Sequence, residues 1–334
     1  MKWYQNVDGV EGAVFKDPLR KESKFWGQGK WDNFIKPLLP AERRVFVEIG
    51  CNAGLFLKLA MDEGFENVIG IEASSQRMRQ AERFRESNGY LYRLIQQKVG
   101  KDFELDQLPL ADVTLLANVH YYLPIHVFAN LVDRLRTRTL YCIVVSAKAS
   151  RRQGRARHYL ESVRGYFRDW QEMEVVGDWK GVETLDDPSP RVQMYGALFK
   201  GGLESWDVKQ YWDRRDAVDI KAKRRRGAAG IKAKGPKRLM LEWGMVGGFF
   251  RKVLNGEEFD FKETSLYEYW RARGWLPEDI EKKLTCNKWL FESVQRDGMK
   301  APVYCNGKGH LLDGAHRLVI ALELGYKHVL VRRL

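Results

Sequence analysis

The sequence has few cysteines and no long hydrophobic stretch. Its four cysteines lie far apart and form no C-x-x-C pair, which argues against a disulfide framework and a structural zinc site. The longest apolar runs, such as residues 140–145, are far shorter than the roughly 20 residues that a membrane helix needs. The N-terminus lacks the hydrophobic segment of a signal peptide. We therefore expect a cytoplasmic protein with reduced thiols and no integral membrane association.

The positive charge of the sequence is concentrated in two short segments. The whole chain of 334 residues has a formal net charge of +13. Counting Lys, Arg, Asp and Glu, residues 214–238 have a net charge of +9 and residues 148–168 a net charge of +6. The rest of the chain is therefore slightly acidic. Because the basicity is local, each of the two segments needs its own functional explanation.

Length and composition indicate a folded protein with two domains. A chain of 334 residues exceeds the usual size of one domain. Hydrophobic residues make up 44% of the sequence and aromatic residues 12%, which is too high for a disordered chain. No internal repeat is evident, so repeat architectures are not expected.

Strand and helix patterns alternate over the first 200 residues. The predicted strands are residues 44–49, 67–72, 90–99, 112–117, 140–147, 173–178 and 191–200. Helical patterns separate the first five of them, and a further helix is predicted at residues 157–170. This alternation is typical of parallel β-α-β units. It predicts an α/β fold with a doubly wound, Rossmann-like sheet in a domain that spans residues 1–202.

The remaining sequence divides into a connector and a smaller domain. Residues 203–238 form a predicted basic connector, because much of this stretch is rich in Gly, Ala and Lys and has no apolar periodicity. Helical patterns resume at Leu239, among them residues 265–274, 277–284 and 290–298. They are followed by two short strands, a loop at residues 313–317, a helix and a last strand. We predict an α+β domain at residues 239–334.

A glycine-punctuated loop follows the first predicted strand. It reads Glu48-Ile49-Gly50-Cys51-Asn52-Ala53-Gly54 and is not the G-x-G-x-x-G of dinucleotide-binding folds. The carboxylate before the first glycine would repel a pyrophosphate and suits a cationic ligand instead. The second strand ends in Glu72, at the place where an acid accepts hydrogen bonds from ribose hydroxyls. Glu48 thus suits a cationic ligand, and Glu72 suits ribose hydroxyls.

The string VFVEIGCNAG, the acid in GIEAS and the strand order resemble class I S-adenosylmethionine-dependent methyltransferases, over about residues 40–200. This resemblance implies S-adenosyl-L-methionine as the cofactor, with its methionine part in the glycine loop and its ribose on Glu72. Residues after the fourth strand would lie beside the transferring methyl group. The cofactor-binding residues that the resemblance implies are Glu48, Gly50, Cys51, Asn52, Ala53, Gly54, Glu72, Ala73, Asn118 and Val119.

His120 and Tyr121 are the candidate catalytic residues after the fourth strand. Methyl transfer is an in-line displacement, so a base is needed only where the acceptor must lose a proton. We predict that His120 is this base; the alternative is that its ring caps or packs. The N-P-P-Y and D-P-P-Y tetrads of many base-amino methyltransferases are absent from this position, which argues against DNA amino methylation.

The first basic segment follows the fifth strand, on the predicted rim of the cofactor site. Arg151, Arg152 and Arg155 are candidates for binding an anionic or phosphorylated acceptor through forked contacts. A solvated helix start is the alternative explanation. The same arginines would also suit an RNA backbone.

The second candidate site is the string Asp313-Gly314-Ala315-His316-Arg317. Backbone amides at a helix start, together with His316 and Arg317, would form a phosphate cradle, and Asp313 would orient a donor or hold a metal. The surrounding sequence, about 50 residues, resembles the ParB/sulfiredoxin fold. Sulfiredoxins carry a catalytic Cys where this chain has Ala315, and ParB proteins add a DNA-binding domain for which we expect no room after Leu334.

Free serine kinases use a similar D-G-x-H-R loop to hold phosphate. That resemblance implies a C-terminal domain that binds ATP or another nucleotide, with Mg²⁺ as a further candidate, and transfers phosphate to a hydroxyl. Its carboxylate base would be Glu278 or Asp279. A degenerate domain that only binds is the alternative.

Two functional hypotheses follow, and a cofactor-sensing scaffold is a third, less favoured one. The first is a bifunctional enzyme that phosphorylates a hydroxyl and methylates an acceptor such as a glycan, with the new phosphate as one candidate target. This order resembles the kinase-methyltransferase architecture of bacterial polysaccharide chain terminators. The second is an RNA or DNA methyltransferase whose C-terminal domain and basic connector bind the polymer. The sequence leaves the oligomeric state open.

Overall fold

A computed structural model describes residues 27–41, 43–100, 102–120, 122–148, 160–177, 193–208, 236–306 and 311–334. The chain divides into two compact units, Met1–Leu203 and Glu204–Leu334. In the described part of the chain, no helix is long and apolar enough to cross a membrane.

The first unit is an α/β unit with a seven-stranded sheet. Its strands are β1 (Val45–Ile49), β2 (Asn67–Glu72), β3 (Arg93–Gln96), β4 (Ala111–Ala117), β5 (Thr139–Lys148), β6 (Gln171–Gly177) and β7 (Gln193–Lys200). Its helices are α1 (Gly27–Lys30), α2 (Leu55–Asp62), α3 (Ser75–Asn88), α4 (Ile125–Leu135) and α5 (Leu160–Tyr166). A π turn (Trp31–Ile35) and a 3₁₀ turn (Lys36–Leu38) continue α1.

The strand order is β3-β2-β1-β4-β5-β7-β6. The first five strands are parallel, as the alternation of strands and helices predicts. The parallel arrangement ends at the β6 edge of the sheet. There β7 lies between β5 and β6 and is antiparallel to both. Helix α5 precedes β6, but the pairing of β6 with β7 is antiparallel and needs no crossover helix, so the sequence does not show that β7 lies between β5 and β6.

Two hydrophobic clusters cover the two faces of this sheet. Residues 31–38, α2 and α3 contribute to one cluster, and α4 and α5 contribute to the other. Strand β1 is buried along its whole length, and its sequence is apolar apart from Glu48 rather than alternating, as expected for a parallel strand that is covered on both faces. The helices therefore leave the carboxyl edge of the parallel strands as the place where loops can form a site.

The segment after α1 packs unusually close to the sheet. A Cβ atom at Gly196 of β7 would lie 2.1 Å from the backbone oxygen of Phe34. Only glycine allows this approach, because a Cβ at this distance would force the backbone to move. The contact fixes residues 31–38, and with them α1, against the sheet.

The second unit has a four-stranded sheet and helices of its own. Its strands are β8 (Glu204–Asp207), β9 (Val303–Cys305), β10 (Leu311–Asp313) and β11 (His328–Arg333), in the order β10-β9-β11-β8. Its helices are α6 (Pro236–Leu254), α7 (Ser265–Arg271), α8 (Pro277–Asp297) and α9 (Ala315–Glu323). Only β9 and β11 are parallel.

Two sequence predictions for this half differ from the structure. The predicted connector of residues 203–238 contains β8, which pairs with β11, and the start of α6. The two predicted helices at residues 277–284 and 290–298 are one helix, α8. The intervening TCNKW has no Gly or Pro to end a helix, and Asn287 within it is buried, so packing carries the helix through.

Candidate active site

Three loops meet at the carboxyl edge of the parallel strands. They follow β1, β2 and β4, which are neighbours in the sheet. In open α/β sheets, ligands bind at this edge where the strand order reverses. Here the order reverses between β1 and β4. The sheet therefore brings together the residues that the sequence predicts to bind the cofactor, which are residues 48–54, 72–73 and 118–119.

The loop after β1 has a backbone that demands its glycines. Gly50 and Gly54 have φ angles of 81° and 87°, in the left-handed region. A Cβ at Gly50 would lie 2.8 Å from Cγ2 of Val119, so the loop touches the segment after β4. Asn52 also has a positive φ of 54°, which asparagine tolerates better than most residues. This conformation of the loop therefore needs glycine at positions 50 and 54.

Glu72 ties two of these loops together. Its Oε2 accepts a hydrogen bond of 2.9 Å from the backbone N–H of Asn52, and its Oε1 accepts one of 2.9 Å from the N–H of Ser74. Ser74 in turn caps α3, because its side chain accepts a hydrogen bond from the N–H of Arg77. Each carboxylate oxygen can accept a second hydrogen bond, so the group remains able to bind ribose hydroxyls. Ala73, next to it, is exposed.

Sequence reasoning missed one member of the site, Lys30. This lysine of α1 is only 7% exposed and Glu48 is 1% exposed. Burial lowers the pKa of Lys30 to about 8, against the opposing attraction of Glu48. Burial, with the nearby Glu72, raises the pKa of Glu48, and Lys30 counteracts this effect. The site therefore contains a buried ammonium and a buried carboxyl that interact.

A signal for Lys30 was present in the sequence. Lys30, Phe34 and Leu38 are spaced four residues apart, which places the lysine on the buried side of a helical segment. A lysine on an apolar face is unusual and marks a charge with a function or a partner. Its partner Glu48 is far away in sequence, so the pattern alone could not show what the lysine meets.

Two buried acceptor atoms of the loop are left for a ligand. Within the described residues, Oε2 of Glu48 and Oδ1 of Asn52 have no hydrogen-bond partner. Buried polar atoms are almost always paired in folded proteins, so such atoms at a glycine loop indicate a bound group with donors. S-adenosyl-L-methionine has an α-ammonium group, and the residues present fit it.

Cys51 and Ala53 support the loop by their small size. Both are fully buried. Burial and the neighbouring carboxyls raise the pKa of the Cys51 thiol, which disfavours the thiolate. A Cβ at Gly70 of β2 would lie 2.7 Å from its Sγ, which shows how tightly the loop sits on the sheet. We assign both residues to the packing of the loop.

The segment after β4 is anchored to β5. Asn118 has a positive φ of 59°, and its N–H donates to the carbonyl of Val145 over 2.9 Å. His120 is 4% exposed, and its Nε2 lies 3.1 Å from Oγ of Ser146. Its ring also packs against Phe128, with ring centroids 5.7 Å apart. The structure thus favours a packing role for His120 in this conformation; its role as a base stays a prediction.

Several predicted site residues lie outside the described part of the chain. They are Tyr121, Arg151, Arg152 and Arg155, together with residues 209–235 of the predicted basic connector. The predictions about an anionic acceptor at these arginines, and about a polymer bound by the connector, therefore stay predictions.

In the second unit, the residues of the candidate site lie at the end of one strand and at the start of the helix that follows it. Asp313 ends β10, Gly314 alone separates it from α9, and Ala315, His316 and Arg317 are already helical. The predicted loop is thus a single residue, with a φ of 92°. The N–H of Gly314 donates to Asp313 Oδ1 over 2.6 Å, and Nη2 of Arg317 lies 3.2 Å from Asp313 Oδ2.

Arg317 combines this ion pair with a buried nitrogen. Its Nε is buried and has no hydrogen-bond partner within the described residues. Asp313 itself is largely exposed, so its pairing with Arg317 is accessible to a ligand. Glu278 and Asp279, the candidate bases, are exposed in the first turn of α8. Across the described ranges, no group of three or more His, Cys, Asp or Glu side chains could hold a metal ion.

Comparison with known proteins gives structural similarities only. No family model matches the sequence, and no curated protein matches it. N-methyltransferase NodS from Bradyrhizobium japonicum, in complex with S-adenosyl-L-homocysteine, is 16% identical with a TM-score of 0.41, over 56% of this chain and 89% of that chain. A SAM-dependent methyltransferase from Aquifex aeolicus is 16% identical with a TM-score of 0.39, over 51% of this chain and 91% of that chain.

A third similar structure, an S-adenosylmethionine-dependent methyltransferase from Clostridium acetobutylicum, is 12% identical with a TM-score of 0.37, over 48% of this chain and 85% of that chain. Each similarity covers about half of this chain. None of the three supports the ParB/sulfiredoxin resemblance, which stays a prediction. Because identity and TM-score are low, the function proposed below rests on the geometry of the site.

Proposed function

We propose that the first unit is an S-adenosylmethionine-dependent methyltransferase. The observation that carries this proposal is the buried pair of Lys30 and Glu48 beside a glycine loop that is tied to Glu72. A buried ammonium and a buried carboxyl are costly unless they meet complementary charges. The amino-acid part of S-adenosylmethionine carries both complementary charges, and its ribose suits Glu72.

Each part of the cofactor has a residue that would hold it. Lys30 would bind the α-carboxylate, and Glu48 with Asn52 would bind the α-ammonium. Glu72 would accept hydrogen bonds from the ribose hydroxyls through the lone pairs that the backbone N–H groups leave open. The dinucleotide alternative fits less well, because a pyrophosphate at this loop would face the Glu48 carboxyl.

When bound, S-adenosylmethionine supplies a methyl group on a positively charged sulfur. The protein's own contribution is positioning and the exclusion of water. Gly50 lies close to the side chain of Val119, so the segment after β4 lies beside the loop. An acceptor that must lose a proton needs a base there, and His120 is the candidate once its contacts to Ser146 and Phe128 rearrange.

We propose an anionic or hydroxyl-bearing acceptor, with a glycan as the leading example. The first basic segment follows β5 in sequence, and its arginines suit phosphate or carboxylate groups. Nucleic acid is the alternative acceptor, because the same charges would suit its backbone.

Binding of S-adenosyl-L-homocysteine tests the methyltransferase proposal directly. We expect one equivalent to bind in isothermal titration calorimetry, and a concentration of about 100 times Kd to stabilise the first unit by about 2.7 kcal/mol. Glu48→Gln should weaken the binding, because it removes the charge opposite the α-ammonium. Glu66→Gln changes an exposed acid and is the matched control; it should leave the affinity for S-adenosyl-L-homocysteine unchanged. NAD that binds in place of S-adenosyl-L-homocysteine would overturn the proposal.

We further propose that the second unit is a phosphotransferase that uses ATP or another nucleotide. Three features support this role: the backbone of Gly314, the N-terminus of α9, and Arg317 with its buried Nε beside Asp313. Backbone N–H groups and a guanidinium together bind phosphate oxygens well. In the reaction, the acceptor oxygen forms a bond to the γ-phosphorus, ADP leaves, and the hydroxyl proton passes to a carboxylate.

The kinase proposal is tested by formation of labelled ADP. We expect the protein to produce ADP from labelled ATP in the presence of Mg²⁺ and a panel of glycans, lipids and nucleic acids. The double variant D313A/H316A should lose this activity, because it removes groups at the phosphate cradle. The variant E292A, at a half-exposed acid of α8, is the control and should retain it. ADP formation that is no higher in the wild type than in D313A/H316A would refute the kinase role.

A further inference from the structure

A cavity of about 330 Å³ lies at the end of helix α6, within the second unit. It is lined by Val253 of α6, by residues 256–259 and Phe261 after this helix, and by two side chains of α8. Pockets for small molecules begin at roughly 300 Å³, so this cavity has the size for a small ligand. Among the described residues that line it, none belongs to the candidate phosphate site at residues 313–317.

The turn after α6 fixes the backbone of the cavity wall. Gly256 has a φ of 68°, and its N–H donates to the carbonyl of Val253 over 3.1 Å. The N–H of Glu257 donates to the carbonyl of Lys252 over 3.1 Å. These two hydrogen bonds form the Schellman motif that ends many helices. Glu257 and Glu258 therefore follow directly on the C-terminal end of α6, where the helix dipole contributes partial negative charge.

The side chains of the cavity wall have a negative net charge. Lys288 and Glu292 of α8 are half exposed and lie 4.0 Å apart, from Nζ to Oε1, so their charges offset each other. Oε1 of Glu257 accepts a hydrogen bond of 3.0 Å from Nδ2 of Asn255, which is neutral. Within the described residues, neither Glu257 nor Glu258 takes part in an ion pair. Two carboxylates are thus left without a countercharge.

Two aromatic rings complete the cavity wall. The ring centroids of Phe259 and Phe261 are 6.0 Å apart, and both side chains pack against the core of the second unit. Nζ of Lys252 lies 5.3 Å from the centroid of Phe259. An ammonium within about 6 Å of a ring centroid is attracted to the face of the ring. Phe259 thus already attracts a cation in the folded protein, and Lys252 itself is not one of the residues that line the cavity.

We propose that this cavity binds the alkylammonium group of a small aliphatic amine. Glu257 and Glu258 would pair with the ammonium, and the two rings with Val253 would cover the methylene groups. An anion is disfavoured, because it would meet two carboxylates and the negative end of α6. A metal ion fits less well than an organic cation, since no group of three or more ligating side chains could hold one in the described part of the chain.

The test is a titration of the full-length protein with putrescine, followed by saturation-transfer difference NMR at low ionic strength. The matched neutral probe is 1,4-butanediol, which has the same chain length and no charge. We expect putrescine to bind at least about tenfold more tightly than 1,4-butanediol, because its contacts are charge-assisted. Added NaCl should weaken the binding. The whole chain has a net charge of +13, so a diamine has little general attraction to it.

Variants of the cavity wall locate the binding. Glu258→Gln should weaken binding of putrescine by about fivefold, because it removes one of two charges at an exposed site. Phe259→Leu should weaken it by about threefold, and Phe259→Tyr should retain it, because tyrosine keeps a ring for the ammonium. Glu263→Gln is the control, because Glu263 is an exposed acid nearby in sequence that does not line the cavity. Thermal unfolding shows whether each variant is folded.

Three results would overturn the proposal. The first is putrescine that binds no better than 1,4-butanediol. The second is an equal loss of affinity in Glu263→Gln and Glu258→Gln, which would show general attraction to surface acids. The third is tighter binding of Nα-acetyl-lysine amide than of putrescine, which would assign the cavity to a lysine side chain of a partner protein. The proposal is independent of the methyltransferase and kinase functions, so each stands or fails by its own test.

Discussion

Replacing Lys30 with methionine is expected to weaken binding of S-adenosyl-L-homocysteine by roughly 10- to 100-fold, because a charge-assisted hydrogen bond contributes about 1.5–3 kcal/mol. The free protein should lose less stability than the loss of one partner of a buried ion pair usually costs. Burial already lowers the pKa of Lys30 to about 8, which means that the fold disfavours its charge. Methionine has a similar length and no charge to desolvate. Calorimetric titration measures the affinity, and thermal unfolding without ligand measures the stability.

The same residue predicts a pH dependence of binding. The α-carboxylate of the ligand needs a protonated Lys30, so the affinity should fall as the pH rises above about 8. Because one lysine per site titrates, the slope of log Kd against pH should not exceed one. In Lys30→Arg the side chain stays charged, and the fall should disappear. The amino group of the ligand titrates in every variant, so the difference between Lys30→Met and wild type isolates the lysine. Equal pH profiles in wild type, Lys30→Arg and Lys30→Met would exclude Lys30 from the site.

The stability of the free protein should change with pH in the opposite direction. Between pH 8 and the ordinary lysine pKa of 10.5, the unfolded chain keeps a proton on Lys30 that the folded protein has lost. The unfolded state binds more protons in this window, so this group makes the folded state more stable as pH rises. Comparison of urea unfolding at pH 8 and pH 10 in wild type and Lys30→Met isolates the contribution.

Replacing Glu72 with alanine should damage both the fold of the loops and the binding of the cofactor. The carboxylate accepts hydrogen bonds from the N–H groups of Asn52 and Ser74, and alanine leaves both donors without this acceptor. Each buried donor left unpaired costs about 1–3 kcal/mol, so we expect a loss of about 2–5 kcal/mol in the free energy of unfolding. Affinity for S-adenosyl-L-homocysteine should fall by more than about 100-fold, because the ribose contacts are also lost.

Two control variants separate these effects of Glu72. Glu72→Gln keeps one acceptor oxygen, so its stability and its affinity should lie between those of wild type and Glu72→Ala. Glu86→Ala removes an exposed acid of α3 and should change neither quantity by more than a few tenths of a kcal/mol. Urea unfolding and calorimetric titration measure the two effects. Wild-type affinity in a stably folded Glu72→Ala would show that Glu72 supports the loops without touching the cofactor.

Features that depend on near neighbours in sequence were predictable. The mainly apolar sequence of β1, the glycines of the following loop and the cap of α3 by Ser74 all follow from local conformational preferences. The positions of Glu48 and Glu72 at strand ends follow from the same strand boundaries, because the carboxyl ends of adjacent parallel strands meet. The loop and its two acids could therefore be placed before the sheet was seen.

Features that depend on distant parts of the chain were not predictable. The insertion of β7 between β5 and β6, and the pairing of β8 with β11, depend on hydrogen bonds between remote strands, which leave no periodicity in either segment. The burial of His120 depends on Ser146 and Phe128, which reach it from β5 and α4. A histidine after a strand looks the same in sequence whether it faces an acceptor or packs against a serine.

The amino-acid sequence alone therefore determined the parallel part of the sheet, the shape of the glycine loop and the two acids beside it, because each follows from backbone preferences over a few residues. Only the tertiary structure placed Lys30 near Glu48 and buried His120. Those relations arise when elements far apart in sequence pack together, and the pKa of a buried lysine depends on which neighbours that packing brings to it.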